Sequence, residues 1–428
     1  MKRLLFISGA PPLPTNNGQR LRIWSLLRAF AQEGYEIHFL TFAPPEEMES
    51  YAGDLAEVCR TADAVPLTLP SWSSGGHYRS RLSGLFSPVP YGVERFRSPE
   101  MAHRIAMRLR EPFSAVIAAS VYVAVNLPDW MEPPLIMDDD NIEHMILKRC
   151  LEGERNPARW AYIWLEWWKL RRWERSVCSR AALVMLCSEN DRSLMREMCR
   201  EPLVAMVPNV IDVDSYDPAP QSAHTTVLYL GSMDWFPNRD AVEFFVGAIL
   251  PELRKRVPHV RFVVTFSPEH APPAGFRERF ARTPNVEFVP THDVRRTIAE
   301  AAVFVVSLRI GSGTRFKILE AGAMAKPIVS TRVGAEGLDF TSGEEILLED
   351  DPAAFATAVA TLLGDEAMRT RLGRAARRRV EKQYDFAAMR STLSDALAQL
   401  DAIGSVSTRS DAELRVKSAA CSSQGGSS

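Results

Sequence analysis

A loop with two glycines, placed between a buried strand and a helix, is the segment of this sequence best suited to chemistry. An apolar strand is predicted at Val303–Ser307, Gly311 and Gly313 follow it, and a helix is predicted over Thr314–Ala325. The N-terminus of a helix presents free backbone N–H groups and the positive end of the helix dipole, so it attracts phosphate. The segment therefore predicts a phosphate-binding site.

Three polar residues of the predicted helix extend this interpretation. Thr314, Lys317 and Glu320 recur at intervals of three, which places them on one face of the first turns. Thr314 and Lys317 can hold a diphosphate, and Glu320 can accept hydrogen bonds from ribose hydroxyls. The glycines alone fit a tight turn equally well, but the cation and the carboxylate on one face favour a ligand site.

A dinucleotide-binding oxidoreductase is the alternative for such a strand, loop and helix. That class carries G-x-G-x-x-G directly after the first strand of its domain. Neither half of this chain has the motif, and the turn at Gly231 lacks the second and third glycines. The sequence therefore disfavours NAD binding.

A second polar cluster, Asp138–His144, follows a predicted strand in the first half of the chain. Its three adjacent aspartates suggest a metal, but their side chains alternate sides along an extended chain and do not match the ligand geometry that divalent ions need. Asn141 and Glu143 are predicted to contact a ligand instead. His144 is a candidate catalytic group, because histidines with shifted pKa values concentrate in clefts.

The elements that must position these residues repeat in the order strand, helix, strand. Leu4–Ile7 and Ile37–Phe42 are predicted strands on either side of an amphipathic helix, Arg20–Glu33. Further buried strands are predicted at Val116–Ala119, Leu135–Met137 and Ala182–Cys187. Such a pattern predicts a doubly wound parallel sheet, with ligands at the carboxyl ends of its strands.

The pattern restarts after Val207, which indicates a second Rossmann-like domain. Its predicted strands are Thr226–Leu230, Val260–Phe266, Val286–Val289, Val303–Ser307 and Pro327–Ser330, and its predicted helices are Ala241–Arg256, Asp293–Ala301 and Thr314–Ala325. We assign residues 1–207 to the first domain and 208–375 to the second. Residues 404–428 are rich in Ser and Gly, so we expect a disordered tail.

Composition narrows the class of protein. A chain of 428 residues exceeds one ordinary core, and its formal net charge of -2 provides no global positive field for nucleic acid. Six scattered cysteines without zinc-ligand spacing indicate a reducing compartment. The apolar run that begins at Leu4 is too short for a signal peptide, and no stretch approaches the roughly 20 apolar residues of a membrane span.

A tryptophan-rich segment, residues 159–173, leaves two interpretations open. Trp160, Trp164, Trp167 and Trp168 share a helical face, and four cations lie close to them in the sequence. Tryptophan and arginine in this combination suit a membrane interface. A core helix that shields the first sheet explains the same pattern, because tryptophan is mostly buried in proteins.

From Lys2 to about Leu400 the chain resembles glycosyltransferase family four, the large group of retaining glycosyltransferases with the GT-B fold. The resemblance is carried by Asn17-Gly18 after the first strand, by Val207-Pro-Asn-Val-Ile-Asp212 at the domain junction, and by Gly231 after the first strand of the second domain. Glu320 and the strand Pro327-Ile-Val-Ser-Thr331 match the latter part of the family signature.

The chain departs from that signature at Ser312, which stands where the family has the first of two glutamates. Some members similar to this chain carry R-x-G-x-G-T-R-x-K-x-x-E instead, with segments like Trp235-Phe-Pro-Asn238 and Gly334-Ala-Glu-Gly-Leu338. The Arg and Lys that usually follow the first strand of the second domain are absent here. The resemblance then implies that Arg309, Arg315 and Lys317 supply the positive charge on the diphosphate.

The resemblance implies an α/β fold of the GT-B type, two Rossmann-like domains facing across a cleft. It also implies a final helix, residues 376–400, that crosses back to the first domain, and the apolar spacing of Phe386, Met389, Leu393, Leu397 and Leu400 agrees with an amphipathic helix. Gly18, Asn141, Glu143 and His144 would face the donor and acceptor from the first domain. Gly231, Asn238, Gly311, Gly313, Thr314 and Glu320 would bind the donor from the second.

The implied activity is transfer of a sugar, with retention and without a metal or other cofactor, from a UDP-, GDP- or ADP-sugar to a glycan or lipid-linked acceptor. Arg309, Lys317 and His144 are the candidate catalytic groups. The expected setting is polysaccharide or glycolipid synthesis in the cytoplasm or at the inner face of the membrane. A sugar epimerase of the same fold and a catalytically silent nucleotide-sugar-binding protein remain the alternatives.

Overall fold

The computed structural model of the protein describes residues 2–67, 84–85, 87–218, 225–311 and 313–403. Most of residues 70–90, whose Ser, Gly and Pro content predicts a loop, and the whole of the tail expected at 404–428 lie outside the described residues. The described chain forms two parallel β-sheets, each with helices packed on both faces. The α/β class with two Rossmann-like domains is confirmed.

The first sheet has seven parallel strands in the order β3-β2-β1-β4-β5-β6-β7. The strands are Lys2–Ser8 (β1), Tyr35–Phe42 (β2), Thr61–Val65 (β3), Ala115–Ala119 (β4), Leu135–Asp138 (β5), Leu183–Leu186 (β6) and Leu203–Met206 (β7). Alternate residues of β1 enter opposite cores, Leu4 and Phe6 on one face and Leu5 and Ile7 on the other. Both faces are therefore buried, as a parallel sheet requires.

Helices connect these strands and cover both faces of the first sheet. They are Gly18–Gln32 (α1), Pro45–Glu49 (α2), Ala52–Val58 (α3), Tyr91–Glu94 (α4), Pro99–Arg108 (α5), Glu143–Gly153 (α6), Pro157–Cys178 (α7) and Glu189–Met198 (α8), with a 3₁₀ turn at Val123–Asn126. Helix α1 begins where the side chain of Asn17 accepts a hydrogen bond of 3.0 Å from the backbone N–H of Arg20. This cap fixes the start of α1 close to the carboxyl end of β1.

The second sheet has six parallel strands in the order β10-β9-β8-β11-β12-β13. They are Thr226–Leu230 (β8), Arg261–Phe266 (β9), Val286–Pro290 (β10), Val303–Val306 (β11), Ile328–Ser330 (β12) and Leu347–Leu348 (β13). Its helices are Phe236–Phe244 (α9), Leu250–Arg254 (α10), Val294–Glu300 (α11), Phe316–Ala323 (α12), Pro352–Gly364 (α13) and Glu366–Gln383 (α14). A π-helical turn, Phe245–Ile249, interrupts the helix expected over residues 241–256, and short 3₁₀ turns lie at Val213–Ser215, Pro268–His270 and Glu278–Phe280.

The chain returns to the first domain through a final helix, residues 386–403, which we label α15. Met389, Leu393 and Leu397 of α15 are buried in the core beneath α1. The preceding helix α14 instead buries Ala376 and Val380 in the core of the second sheet. The crossing therefore falls after α14 and not at residue 376, and we propose to draw the second domain boundary there.

The two connections between the domains lie side by side at this crossing. Ile211 and Asp385 form an isolated parallel bridge, and the backbone N–H of Ile211 donates to the carbonyl of Tyr384 at 3.0 Å. Paired crossings of this kind let two domains rotate about one short hinge. The ring of Tyr384 packs in the core of the second domain, which fixes one side of the hinge.

Candidate functional site

The carboxyl ends of the two sheets face each other, and the loops that follow their strands meet there. An added Cβ on Gly18, which starts α1, would lie 2.5 Å from a ring carbon of Phe316 at the start of α12. An added Cβ on Gly337 would lie 3.0 Å from the Cβ of Ser188 in the loop after β6. The glycines thus allow the two domains to approach closely along a shared cleft.

Gly313 is the position where the loop before α12 contacts the first domain most tightly. Its φ of +71° lies in the left-handed region. An added Cβ would come within 2.2 Å of Asn141 Oδ1 and 2.5 Å of the carbonyl oxygen of Asp140. Gly313 is needed here for its backbone conformation and for space, and the loop lies directly against the polar cluster that follows β5.

The N-terminus of α12 opens toward this contact. Helix α12 begins at Phe316, two residues later than expected, and no described side chain caps it. Thr314 consequently precedes the helix and does not share its face. The Oγ1 atom of Thr314 accepts a hydrogen bond of 2.7 Å from Asn209 in the domain junction. The first N–H groups of α12 and its dipole are therefore left without a side-chain cap among the described residues, as at helix N-termini that bind anions.

Lys317 lies in the first turn of α12 and is held by two side chains of the second domain. Its Nζ donates to Asn238 Oδ1 at 2.8 Å and to the hydroxyl of Tyr229 at 3.2 Å. An added Cβ on Gly231 would lie 2.7 Å from Asn238 Cγ, so Gly231 makes room for this amide. Burial, with a further contribution from the charge of Arg315, lowers the pKa of Lys317 to about 7.

Glu320 lies one turn further along α12, on the same face as Lys317. Burial raises the pKa of its carboxyl group, although a hydrogen bond of 3.2 Å from the Tyr216 hydroxyl and the charge of Lys317 act in the opposite direction. The carboxylate retains oxygens that can accept from ribose hydroxyls. Lys317 and Glu320 share a helical face as their spacing predicts, whereas the contact with Tyr216 was not indicated by the sequence.

Arg309 occupies the loop after β11 and is paired within its own domain. Its guanidinium forms two hydrogen bonds to Asp240, at 2.6 and 3.1 Å, and stacks over Phe244 at 4.5 Å from the ring centre. The side chain is half exposed. Arg309 can therefore reach a ligand only by leaving Asp240. Gly311, two residues after Arg309, leaves room for the side chain of Arg315, since an added Cβ would lie 2.4 Å from Arg315 Nη2.

A buried arginine organises the other side of the cleft. Arg22 of α1 donates two hydrogen bonds from Nε to Asp138, at 3.0 and 3.1 Å, and its Nη1 donates to Asn209 Oδ1 at 2.8 Å. Because Asn209 in turn donates to Thr314, one chain of hydrogen bonds runs from the first domain to the loop before α12. Asp138 is thereby bound to a cation of the protein, and among the described residues no group of three His, Cys, Asp or Glu side chains is arranged to hold a metal.

Glu143 and His144 are the first two residues of helix α6, and Glu174 of α7 contacts both of them. The Glu174 carboxylate accepts from the backbone N–H of Glu143 at 2.8 Å and contacts Nδ1 of His144. Tyr122 donates its hydroxyl to Glu143 at 2.9 Å. Burial and the nearby charge of Asp140 raise the pKa of Glu143 to about 8. The neutral form of Glu143 is therefore favoured at neutral pH relative to an exposed glutamate.

Besides Tyr216, sequence reasoning missed other residues of this region, among them Arg22, Glu174, Asn209 and Tyr229. Arg22 carries a detectable signal, because it occupies the same helical stripe as the buried Leu26 and Phe30. Asn209 lies within the junction motif but was not assigned a role. Tyr229 lies in a strand whose pattern indicates only burial, and Glu174 lies in a basic stretch of α7, so no local signal distinguishes either residue.

Two parallel-sheet domains with their carboxyl ends facing across a cleft, and a last helix that returns to the first domain, define the GT-B fold of glycosyltransferases. Solved structures agree over nearly the whole chain. Sucrose-phosphate synthase from Thermosynechococcus elongatus has a TM-score of 0.69 at 17% identity and covers 94% of this chain and 100% of its own. HepE from Anabaena, solved with UDP and glucose, has a TM-score of 0.65 at 13% identity and covers 93% of this chain and 100% of its own.

Sequence comparison points to the same group. Residues 224–365 match the family model described as Glycosyl transferases group 1. A protein of the cps region of Klebsiella pneumoniae is 19% identical over 366 residues, 83% of this chain and 89% of that protein. One subunit of the phosphatidylinositol N-acetylglucosaminyltransferase of Arabidopsis thaliana is 26% identical over 182 residues, 42% of this chain and 40% of that protein. The segment matched by the family model contains α9, the loop before α12 and α12 itself.

Proposed function

We propose that this protein is a glycosyltransferase that moves a hexose from a nucleoside-diphosphate sugar to an acceptor hydroxyl, with retention of configuration and without a metal. The observation that carries the proposal is the position of Lys317. It is held by Asn238 and Tyr229 at the uncapped start of α12, on one face with Glu320, opposite Asn141 of the first domain. A cation, a helix dipole and a carboxylate together match a nucleoside diphosphate.

The proposed chemistry depends on stabilising the leaving group. As the bond between the anomeric carbon and the diphosphate oxygen breaks, negative charge develops on the diphosphate, and the α12 dipole and Lys317 stabilise it. The acceptor oxygen attacks from the face that the diphosphate leaves, and its proton passes to the diphosphate. Closing the cleft excludes water and aligns the two reactants. We place Asn141, Glu143 and His144 at the sugar and acceptor.

Further observations limit the choice of donor nucleotide, cellular compartment and biosynthetic pathway. HepE was solved with UDP and glucose, so UDP-sugars are the first donors to test, followed by GDP- and ADP-sugars. The relative from a cps region supports a role in polysaccharide synthesis, with a glycan or lipid-linked acceptor. Five described cysteines are free thiols, four of them buried, which fits the reducing cytoplasm where we place the protein.

A panel of labelled nucleotide sugars tests the proposal. The full chain is incubated with each UDP-, GDP- and ADP-sugar and with glycan and lipid extracts as acceptors, and labelled product and free nucleoside diphosphate are measured. We expect product with one nucleotide class, with the anomeric configuration of the donor retained by NMR. Binding of a nucleotide sugar without any transfer would instead identify a silent binding protein.

Chelation tests the proposed absence of a metal. Activity should persist in EDTA, because Lys317 and the α12 dipole carry the charge compensation. The variant Lys317→Met provides the complementary control and should lose transfer whether or not metal is added. Loss of activity in EDTA that manganese restores would overturn the metal-independent mechanism.

A further inference from the structure

Helix α7 presents two populations of tryptophan. Trp173 donates its indole N–H to the backbone carbonyl of Val121 at 2.9 Å and is partly buried, and Trp167 is half-buried. Trp160, Trp164 and Trp168 are instead 43%, 43% and 42% exposed. Residues four apart lie almost in line along a helix, so these three form a stripe about 12 Å long.

Exposed arginines extend this stripe. Arg171 and Arg172 lie within about a third of a turn of it at 100° per residue, and both are exposed. The Arg172 guanidinium lies 4.8 Å from the centre of the Trp168 ring. We call the surface formed by Trp160, Trp164, Trp168, Arg171 and Arg172 the Trp–Arg face.

The acidic side chains of α7 are directed away from the Trp–Arg face. Glu166 is buried and accepts a hydrogen bond of 2.7 Å from the backbone N–H of Tyr91. Glu174 is fully buried beneath α6, where it contacts His144. Helix α7 therefore offers the solvent a surface that combines apolar area with positive charge. Three neighbouring side chains of this size, each more than two fifths exposed, are unusual on a soluble surface.

We propose that the Trp–Arg face docks on an anionic lipid surface. Tryptophan rings favour the headgroup level of a bilayer, where the ring is apolar and the indole N–H stays hydrated. Arginine guanidinium groups pair with lipid phosphates, and basic residues are attracted by the negative potential of anionic leaflets. No helix in the described part of the chain is long and apolar enough to span a membrane, so α7 lies along the interface.

Helices α6 and α7, which pack against each other, connect the Trp–Arg face to the candidate site. Helix α6 starts at Glu143 and His144, and α7 packs against α6 and supports its first turn through Glu174. Docking through α7 would therefore hold the cleft close to the lipid surface, where a lipid-linked acceptor would be found. The docking itself does not depend on the proposed sugar transfer, and it is tested without any donor.

Vesicle flotation with the full chain tests the docking. Wild-type protein is mixed with vesicles of phosphatidylcholine alone or with a phosphatidylglycerol fraction, and the bound share is measured. We expect binding to the anionic vesicles, reduced at least tenfold by Trp160→Ala/Trp164→Ala/Trp168→Ala and, separately, by Arg171→Glu/Arg172→Glu. The matched control is Arg374→Glu/Arg378→Glu, the same charge change at exposed positions of α14, which should bind like the wild type.

The outcomes separate a lipid surface from other occupants of the face. All variants alter exposed side chains, and unchanged melting temperatures would show that they fold. Wild-type protein that ignores anionic vesicles would overturn the proposal, as would equal loss of binding in the α14 control. A wild-type dimer that becomes a monomer in the tryptophan variant, seen by light scattering, would assign the face to a second copy of the chain instead.

Discussion

At the scale of single residues, Lys317 is distinguished by the free-energy cost of carrying a positive charge in a buried position. Burial lowers its pKa to about 7, so the unliganded side chain is only partly charged at neutral pH. A diphosphate that binds beside it restores the charge, and binding is then linked to uptake of a proton. The charged form of Lys317 is therefore unfavourable in the empty site and becomes favourable when an anion binds beside it.

We predict that affinity for the donor falls as the pH rises above about 7. Lys317 then becomes neutral in the free protein and must gain a proton on binding, so the dissociation constant should increase by up to about tenfold per pH unit. A sugar nucleotide such as UDP-glucose is a suitable probe, because its diphosphate keeps its charge over this range. Calorimetry at pH 7, 8 and 9 gives the slope.

The variant Lys317→Met should bind the donor more weakly and show no such slope. The loss at neutral pH should be about 1.5–3 kcal/mol, the range for a hydrogen bond to a charged group. An unchanged slope in the variant would assign the titration to another group and would remove Lys317 from the phosphate site.

Arg22 is a second residue whose role is set by burial, and we predict that it is structural. Replacing it with Met leaves Asp138 buried without its cation, which should cost about 3–5 kcal/mol of unfolding free energy. The matched control is Arg192→Met, which breaks a more exposed pair with Glu189 and should cost at most about 1 kcal/mol. Urea denaturation measures both, and equal costs would contradict the structural role of Arg22.

At the scale of elements, α15 ties the two domains together, because it follows α14 of the second domain and packs on the first domain. Leu393 lies in the core beneath α1, whereas Ile403, near the end of α15, is 55% exposed. Ion pairs at the rim, such as Lys2 with Asp401, are exposed and contribute little. The packing of α15 on the first domain is therefore stabilised mainly by apolar burial.

We predict that Leu393→Ala destabilises the first domain by about 2–5 kcal/mol, the range for truncating a buried leucine. Ile403→Ala removes an exposed side chain from the same helix and should change stability by less than about 0.5 kcal/mol. Thermal unfolding measures both variants. If the two were equally stable, the packing of α15 on the first domain would be incorrect.

At the scale of the whole molecule, the proposed transfer depends on how closely the two domains can approach. Gly313 contacts the Asp140–Asn141 backbone and side chain directly, and the hinge lies at the neighbouring crossings near Ile211 and Tyr384. The ion pair of Arg149 with Glu336, 2.7 Å between Nη2 and Oε1, also joins the domains across the cleft. Closure therefore brings complementary groups together at several points.

We predict that Gly313→Ala holds the cleft open. Its Cβ would collide with Asn141, so the compaction that the donor induces, measured by small-angle scattering, should be reduced and transfer should fall at least tenfold. Gly343→Ala is a matched control, because its φ of +86° imposes the same backbone strain while no atom lies within 4 Å of the added Cβ. If Gly343→Ala reduces the compaction as much as Gly313→Ala does, backbone strain and not the contact between the domains explains the reduction.

The sequence by itself determined the fold class and one helical face of the candidate site. Apolar strands alternate with amphipathic helices over short distances, so local periodicity suffices to predict a doubly wound sheet. Lys317 and Glu320 were predicted to share a face because a helix places residues three apart on the same side, and both lie in α12. The strands β3 and β7 were missed. Both lie at the edges of the first sheet and are only partly buried, β3 contains Thr61 and Asp63, and β7 is an apolar run of only four residues.

Only the tertiary structure decided which side chains pair across the chain. The helix predicted over residues 376–400 divides near Tyr384 because its two parts bury their apolar faces in different cores, which local spacing cannot distinguish. Arg22 meets Asp138 across 116 residues of sequence, and Thr314 leaves the helical face to accept from Asn209. Burial and pairing depend on which surfaces meet after folding, and these contacts set the pKa values on which the proposed chemistry rests.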